Sequence, residues 1–134
     1  MSETFQSFVG VDLHKCTVTL TAVDAAGEVT RLKISTKSTG KIEAWLQALP
    51  GPVWMAVEAC PFVEWFIDRF RECVGRIDIA DATELANRRG KRRKTDFNDS
   101  LDMALQLSRG ECPLGFIADE ELMQLRKLGR HWRH

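Results

Sequence analysis

The chain has 134 residues, 44% of them hydrophobic, enough for one core and too few for a two-lobed architecture. Its 19 basic and 19 acidic residues cancel overall, yet residues 1 to 87 carry 8 basic and 12 acidic groups while residues 88 to 134 carry 11 and 7, so the positive excess that would meet a polyanion sits in the C-terminal third. The longest stretch free of charge, AWLQALPGPVWMAV, is too short for a membrane span and carries two prolines.

In chain order, residues 7 to 13 (SFVGVDL) form a short run rich in β-branched residues, and 16 to 23 (CTVTLTAV) alternate Thr with apolar residues at a period of two. Asp24-Ala-Ala-Gly27 supplies turn residues and 28 to 35 (EVTRLKIS) resumes the alternation, which predicts a three-stranded antiparallel meander. Ser38-Thr39-Gly40 offers caps for a helix over 41 to 49, with Ile42, Trp45, Leu46 and Leu49 on one face, ended by Pro50-Gly51-Pro52. The apolar run VWMAV (53 to 57) predicts a strand buried on both faces and ending at Glu58.

Pro61 suits the first turn of a following helix, in which Phe62, Trp65, Phe66, Ile67 and Phe70 form an aromatic stripe wide enough to cover a sheet. RIDIA (76 to 80) predicts a fifth strand and 83 to 87 a short helical stretch. Residues 88 to 94 (RRGKRRK) contain no apolar residue, and helical spacing resumes from Asp96 to Gly110. A last helix is predicted from about Asp119, with Leu122, Leu125, Leu128 and Trp132 spaced by three or four. These elements predict an α/β domain over 1 to 112, a mixed five-stranded sheet with helices on both faces, followed over 113 to 134 by the start of a long C-terminal helix. The order β-β-β-α-β-α-β-α is that of the ribonuclease-H-like fold, in which the first strand lies centrally and the fourth pairs with it in parallel.

Cys16, Cys60, Cys73 and Cys112 form no C-x-x-C pair, and MSETFQSFVG has neither a basic n-region nor an apolar h-region, so reduced thiols in a soluble cytoplasmic protein are expected. His14, His131 and His134 lack ligand spacing and are read as surface residues.

Asp12 at the end of the first strand and Glu58 directly after the fourth are expected at adjacent strand ends, where ligands of open α/β sheets bind. Asp96 and Asp99, three positions apart near a helix start, share one face and are stabilised by the helix N-terminus. Four converging carboxylates need cations, because like charges a few ångströms apart raise one another's pKa, and an all-oxygen site selects Mg²⁺ or Mn²⁺. Two such ions about 3.5–4 Å apart stabilise the attacking and leaving oxygens of a phosphodiester displacement. Plainer readings exist, Asp12 as a turn residue, Glu58 as a surface-rim carboxylate, Asp96 and Asp99 as N-terminal helix acids and RRGKRRK as a solvated loop, although Glu58 at the end of a fully apolar strand is the hardest to dismiss. The conjunction of all four at strand ends and a helix start favours a site.

Gly10-Val11-Asp12-Leu13-His14-Lys15 resembles the G-x-D-x-x-K opening of the insertion sequence 110 family of transposases, Glu58-Ala59-Cys60 resembles their second acidic motif, and Lys94-Thr95-Asp96-Phe97-Asn98-Asp99 matches their K-T-D-x-x-D. Leu125-Arg126-Lys127-Leu128-Gly129-Arg130 is similar to the L-R-x-L-x-R that begins their long helical region. The resemblance implies a RuvC-like domain whose DEDD tetrad is Asp12, Glu58, Asp96 and Asp99, binding Mg²⁺ with Mn²⁺ as its substitute. It implies recombination of donor and target DNA guided by a structured bridge RNA, in an oligomer, in a prokaryotic cytoplasm and at its nucleoid, and the apolar stripe Leu122, Leu125, Leu128 and Trp132 of the C-terminal helix is expected to drive self-association. Lys15, Arg88, Arg89, Lys91, Arg92, Arg93 and Lys94 are then the expected nucleic-acid contacts. The family's domain works with a second one bearing a nucleophilic serine, which this sequence does not include, so complete transposition by this chain alone is not expected. Two departures from the family pattern are Pro61, where Gly is usual after the second acid, and Ser100, where Ala is usual after the second Asp.

Two other readings account for part of the pattern. Sugar kinases and actin-like ATPases also open with a G-x-D strand and a D-x-x-G hairpin such as Asp24 to Gly27, but Leu13-His14-Lys15 stands where their Gly-Thr or Gly-Ser phosphate turn would be. A non-catalytic module that binds nucleic acid and oligomerises, with its acids as relics, differs from the transposase reading in needing no metal. Asp102, one turn beyond Asp99, is placed outside the site.

Overall fold

The computed structural model describes residues 4–89 and 96–115. Five strands, β1 (Ser7–Leu13), β2 (Thr17–Asp24), β3 (Val29–Ser35), β4 (Val53–Glu58) and β5 (Arg76–Ala80), form one sheet in the order β3-β2-β1-β4-β5. β1 pairs antiparallel with β2 and β2 with β3, whereas β4 runs parallel to both β1 and β5. The hairpin turn between β2 and β3 is closed by Asp24, whose Oδ1 accepts the backbone N–H groups of Ala26 and Glu28, and by Gly27 at φ +85°.

The period of two sorts each strand into two faces. Val9, Val11 and Leu13 of β1, Val18, Leu20 and Ala22 of β2, and Val53, Met55 and Val57 of β4 share one buried cluster. Covering it are α1 (Thr39–Gln47), through Ile42 and Leu46, and α2 (Val63–Phe70), through Val63, Phe66 and Phe70. The Phe66 and Phe70 rings pack tilted at 49° with centroids 4.7 Å apart, and Trp65 meets both edge-on. The aromatic stripe expected from the sequence is therefore real, although the helix starts at Val63, and Pro61 lies in the turn before it.

On the opposite face lie α3 (Ala82–Arg89) and α4 (Asp96–Ser108). α3 is capped by Asp81, whose Oδ1 accepts the Glu84 N–H at 3.0 Å. α4 packs across β1 and β2, and its Met103 and Leu107 meet Ala56, Ala80 and Leu85 in a second cluster. It ends in a Schellman arrangement: the Glu111 N–H reaches Gln106 O, the Gly110 N–H reaches Leu107 O, and Gly110 adopts φ +70°. The chain then crosses to the free edge of β5, where Leu114 bridges Ala80 and the Gly115 N–H donates to Ile79 O at 2.7 Å.

The sheet is thus mixed, five-stranded and covered by helices on both faces, as expected. Among the described residues no helix is long and apolar enough to cross a membrane. The expected C-terminal helix with Leu122, Leu125, Leu128 and Trp132 lies outside the described residues.

Candidate metal centre

The site begins at β1, the central strand. Val11 pairs with Val57 of β4, so the next residue of each strand, Asp12 and Glu58, stand side by side at the same end of the sheet. Both belong to the face that α4 covers, because Gly10, two residues before Asp12, sits directly beneath that helix. A Cβ built on Gly10 meets Ser100 O and lies 2.8 Å from Ala104 N, so only glycine lets α4 come this close. That close approach brings Asp99, in the first turns of α4, down to the strand ends.

One carboxylate oxygen from each of Asp12, Glu58 and Asp99 lies within 4.8 Å of the others. Asp12 is 3% exposed, Asp99 5%, and Glu58 is half-buried, which leaves one open side. Three acidic groups this close repel one another, and the positive end of α4 offsets only part of that repulsion at Asp99. A divalent cation bound here would offset the rest. The donor set is made of hard oxygens alone, the kind that suits Mg²⁺ or Mn²⁺.

A further polar atom faces the same region. Thr19 pairs with Asp12 across the β1–β2 ladder, is 1% exposed, and its Oγ1 has no hydrogen-bond partner among the described residues. A metal-bound water beside Asp12 would satisfy it. His14 also reaches the site, with Nε2 3.2 Å from Asp12 Oδ2. His14 is exposed, as expected of a surface residue, but the tight turn back into β2, closed by the His14 N–H on Thr17 O, folds its ring onto Asp12. Its position two residues after a strand-end Asp was the only signal, and a weak one.

Cys60, two residues beyond Glu58, lies close enough to feel the cluster. Burial pushes its thiol up from its ordinary value, a backbone N–H from Phe62 works in the opposite direction, and the charges of Glu58 and Asp12 push it further up. Its sulfur is not one of the clustered ligand atoms.

Of the four expected acids, the structure brings together Asp12, Glu58 and Asp99. Asp96 is the first residue of α4, one turn before Asp99, and its side chain lies outside the described residues. Asp102 is not a member of the cluster. Pro61 leaves Glu58 in the cluster, and Ser100 has a definite part: its Oγ lies 2.6 Å from Thr21 Oγ1 in a fully buried contact that ties α4 to β2.

The expected nucleic-acid contacts divide. Lys15 is exposed in the β1–β2 turn beside the site, and its carbonyl accepts the Thr36 hydroxyl at 3.0 Å. Arg88 is used by the fold: it donates to Glu84 Oε1 and Gln106 Oε1 at 3.1 Å and to the Glu111 carbonyl, clamping α3 to the far end of α4. Lys91, Arg92, Arg93, Lys94 and the side chain of Arg89 lie outside the described residues.

A scan of the chain against models of known protein families finds no match, and a search of curated proteins finds none either.

Proposed function

We propose that the chain is the metal-binding, nuclease-like domain of a DNA transposase or recombinase, built on a ribonuclease-H-like fold and acting on phosphodiester bonds. The observation that carries this reading is the convergence of Asp12, Glu58 and Asp99 within 4.8 Å at the ends of two parallel strands and the start of a helix. The strand order β3-β2-β1-β4-β5, with an antiparallel meander leading into two parallel strands, supports the fold assignment. The resemblance of Gly10 to Lys15 and Lys94 to Asp99 to insertion sequence 110 transposases supports the reaction class.

In this reading Asp12, Glu58 and Asp99 hold Mg²⁺ or Mn²⁺, with Asp96 as the fourth ligand. Bound ions of this kind supply a water activated for attack and stabilise charge on the departing oxygen. The residues of the chain do the placing. Buried Asp12 and Asp99 fix the ions against the sheet, half-buried Glu58 faces the open side where a phosphodiester enters, and Thr19 Oγ1 orients solvent beside Asp12. DNA strand cleavage and exchange, a guiding bridge RNA and a partner domain bearing a serine nucleophile belong to the same proposal.

Calorimetric titration of Mn²⁺ into the chain and its Asp99→Asn variant tests the reading without a known DNA target. Saturable binding that the variant loses supports a metal-dependent enzyme domain. Equal heats, or none, in both proteins favour the non-catalytic nucleic-acid-binding module.

A further inference from the structure

Outside the site, one segment breaks the charge pattern of the N-terminal region. Residues 29 to 41 carry Arg31, Lys33, Lys37 and Lys41 and no acidic group, whereas the remainder of residues 1 to 87 has four basic groups for twelve acidic ones. The fold turns this segment into β3, an edge strand, the turn that follows it and the start of α1, where Lys41 lies.

The register shows where these cations lie. Asp12 pairs with Thr19 and Thr19 with Lys33, while Gly10 pairs with Thr21 and Thr21 with Arg31. Residues side by side in a ladder share a face, so Lys33 and Arg31 belong to the face of Asp12 and α4. Leu32 and Ile34 occupy the other face and pack against the core. Because α4 packs on β1 and β2, it stops short of β3, and Arg31 and Lys33 stay exposed beside it. The Lys33 backbone lies two strand spacings, about 10 Å, from that of Asp12, and Arg31 about 7 Å farther along the strand. Lys37 continues the line at the end of the sheet that holds Asp12 and Glu58.

We propose that this face of β3, carrying Arg31 and Lys33 and continuing to Lys37, is a track for the phosphate backbone of a nucleic-acid strand leading to the acid cluster. Charge on an edge strand also discourages edge-to-edge pairing, but that role is indifferent to sign, and both charged residues of β3 are cations on the sheet face that holds Asp12. The partner follows from the chemistry: repeated single negative charges along one line. The direction of the track rests on the cluster being the reacting site; binding to it does not.

The test is fluorescence anisotropy of labelled oligothymidylate and oligouridylate with the whole chain, over a series of KCl concentrations. Arg31→Gln/Lys33→Gln should weaken binding at least about tenfold and flatten the plot of log affinity against log salt by about 1.4, two phosphate contacts on a single strand. Lys41→Gln/Arg71→Gln, which removes the same charge from exposed positions on the α1 and α2 side, should leave the slope unchanged. Preferential loss of the ribo- or deoxyribo-oligomer assigns the track to RNA or DNA, and either supports it. An unchanged slope in the first variant, an equal loss in the control, or no binding by the wild type overturns the proposal. Circular dichroism excludes misfolding, and Mn²⁺ calorimetry on the same proteins reports separately on the metal reading, which fails or stands independently of the track.

Discussion

Thr21 and Ser100 meet hydroxyl to hydroxyl at 2.6 Å, both with 0% exposure, where α4 crosses β2. Ser100 follows Asp99 directly, so the contact that holds the helix down also sets the height of a carboxylate above the sheet. Ser100→Ala strands the Thr21 hydroxyl in the interior, at a cost of about 1–3 kcal/mol. Thr21→Val with Ser100→Ala removes both polar groups, and the double variant should be more stable than the sum of the single losses implies. Urea denaturation of the four proteins measures the coupling; strictly additive losses would show that the two hydroxyls do not depend on each other.

Gly10→Ala attacks the same approach from the sheet side. The new methyl meets Ser100 O, Ala104 N at 2.8 Å and Met103 Cβ at 2.9 Å, two of them backbone atoms that cannot rotate away. Overpacking of this kind costs about 1–3 kcal/mol. Lifting α4 also lifts Asp99, so Mn²⁺ affinity should fall in a variant that has lost no carboxylate. A variant that keeps both wild-type stability and wild-type Mn²⁺ affinity would show that α4 does not set the site.

Much of this was legible in the sequence because alternation and composition are local signals. Val9, Val11 and Leu13 against Phe8, Gly10 and Asp12 announce the strand and its two faces, and VWMAV announces a strand buried on both sides. Glu58 at the end of that run was the clearest single pointer to the site. What could not be read depends on contacts between distant segments. Gly10 looks like any strand glycine until α4 is laid on it, and Arg88 looks like part of a basic run until Glu84, Gln106 and the Glu111 carbonyl surround its guanidinium. Arg31 and Lys33 gained a meaning only from the register with Asp12.

Neutralising one member of the cluster should change stability in opposite directions with and without metal. In chelator, Asp12→Asn, Glu58→Gln and Asp99→Asn each relieve repulsion among carboxylates whose oxygens lie within 4.8 Å, so each variant should melt above the wild type. With saturating Mn²⁺ the wild type gains the free energy of binding and the order reverses. Asp102→Asn, outside the cluster, should follow the wild type in both conditions. Differential scanning fluorimetry reads all of this, and an Asp102 variant behaving like the Asp99 variant would move the site to another face of α4.

The thiols provide a check on burial. Burial pushes Cys112 up to about 11 from 9.0, with Arg88 opposing and Asp78 adding to the shift, and burial likewise raises Cys60 and Cys73. Cys16 is exposed in the β1–β2 turn. Iodoacetamide labelling at mildly alkaline pH, followed by mass spectrometry, should therefore modify Cys16 first and Cys112 last. The same shift couples to folding: between 9.0 and about 11 the unfolded chain has already released the Cys112 proton while the folded chain retains it, so stability falls as pH rises through that window. Cys112→Ser should flatten that decline. Labelling of Cys112 at the rate of Cys16 would mean that the segment bridging Leu114 to Ala80 does not close over the second cluster in solution.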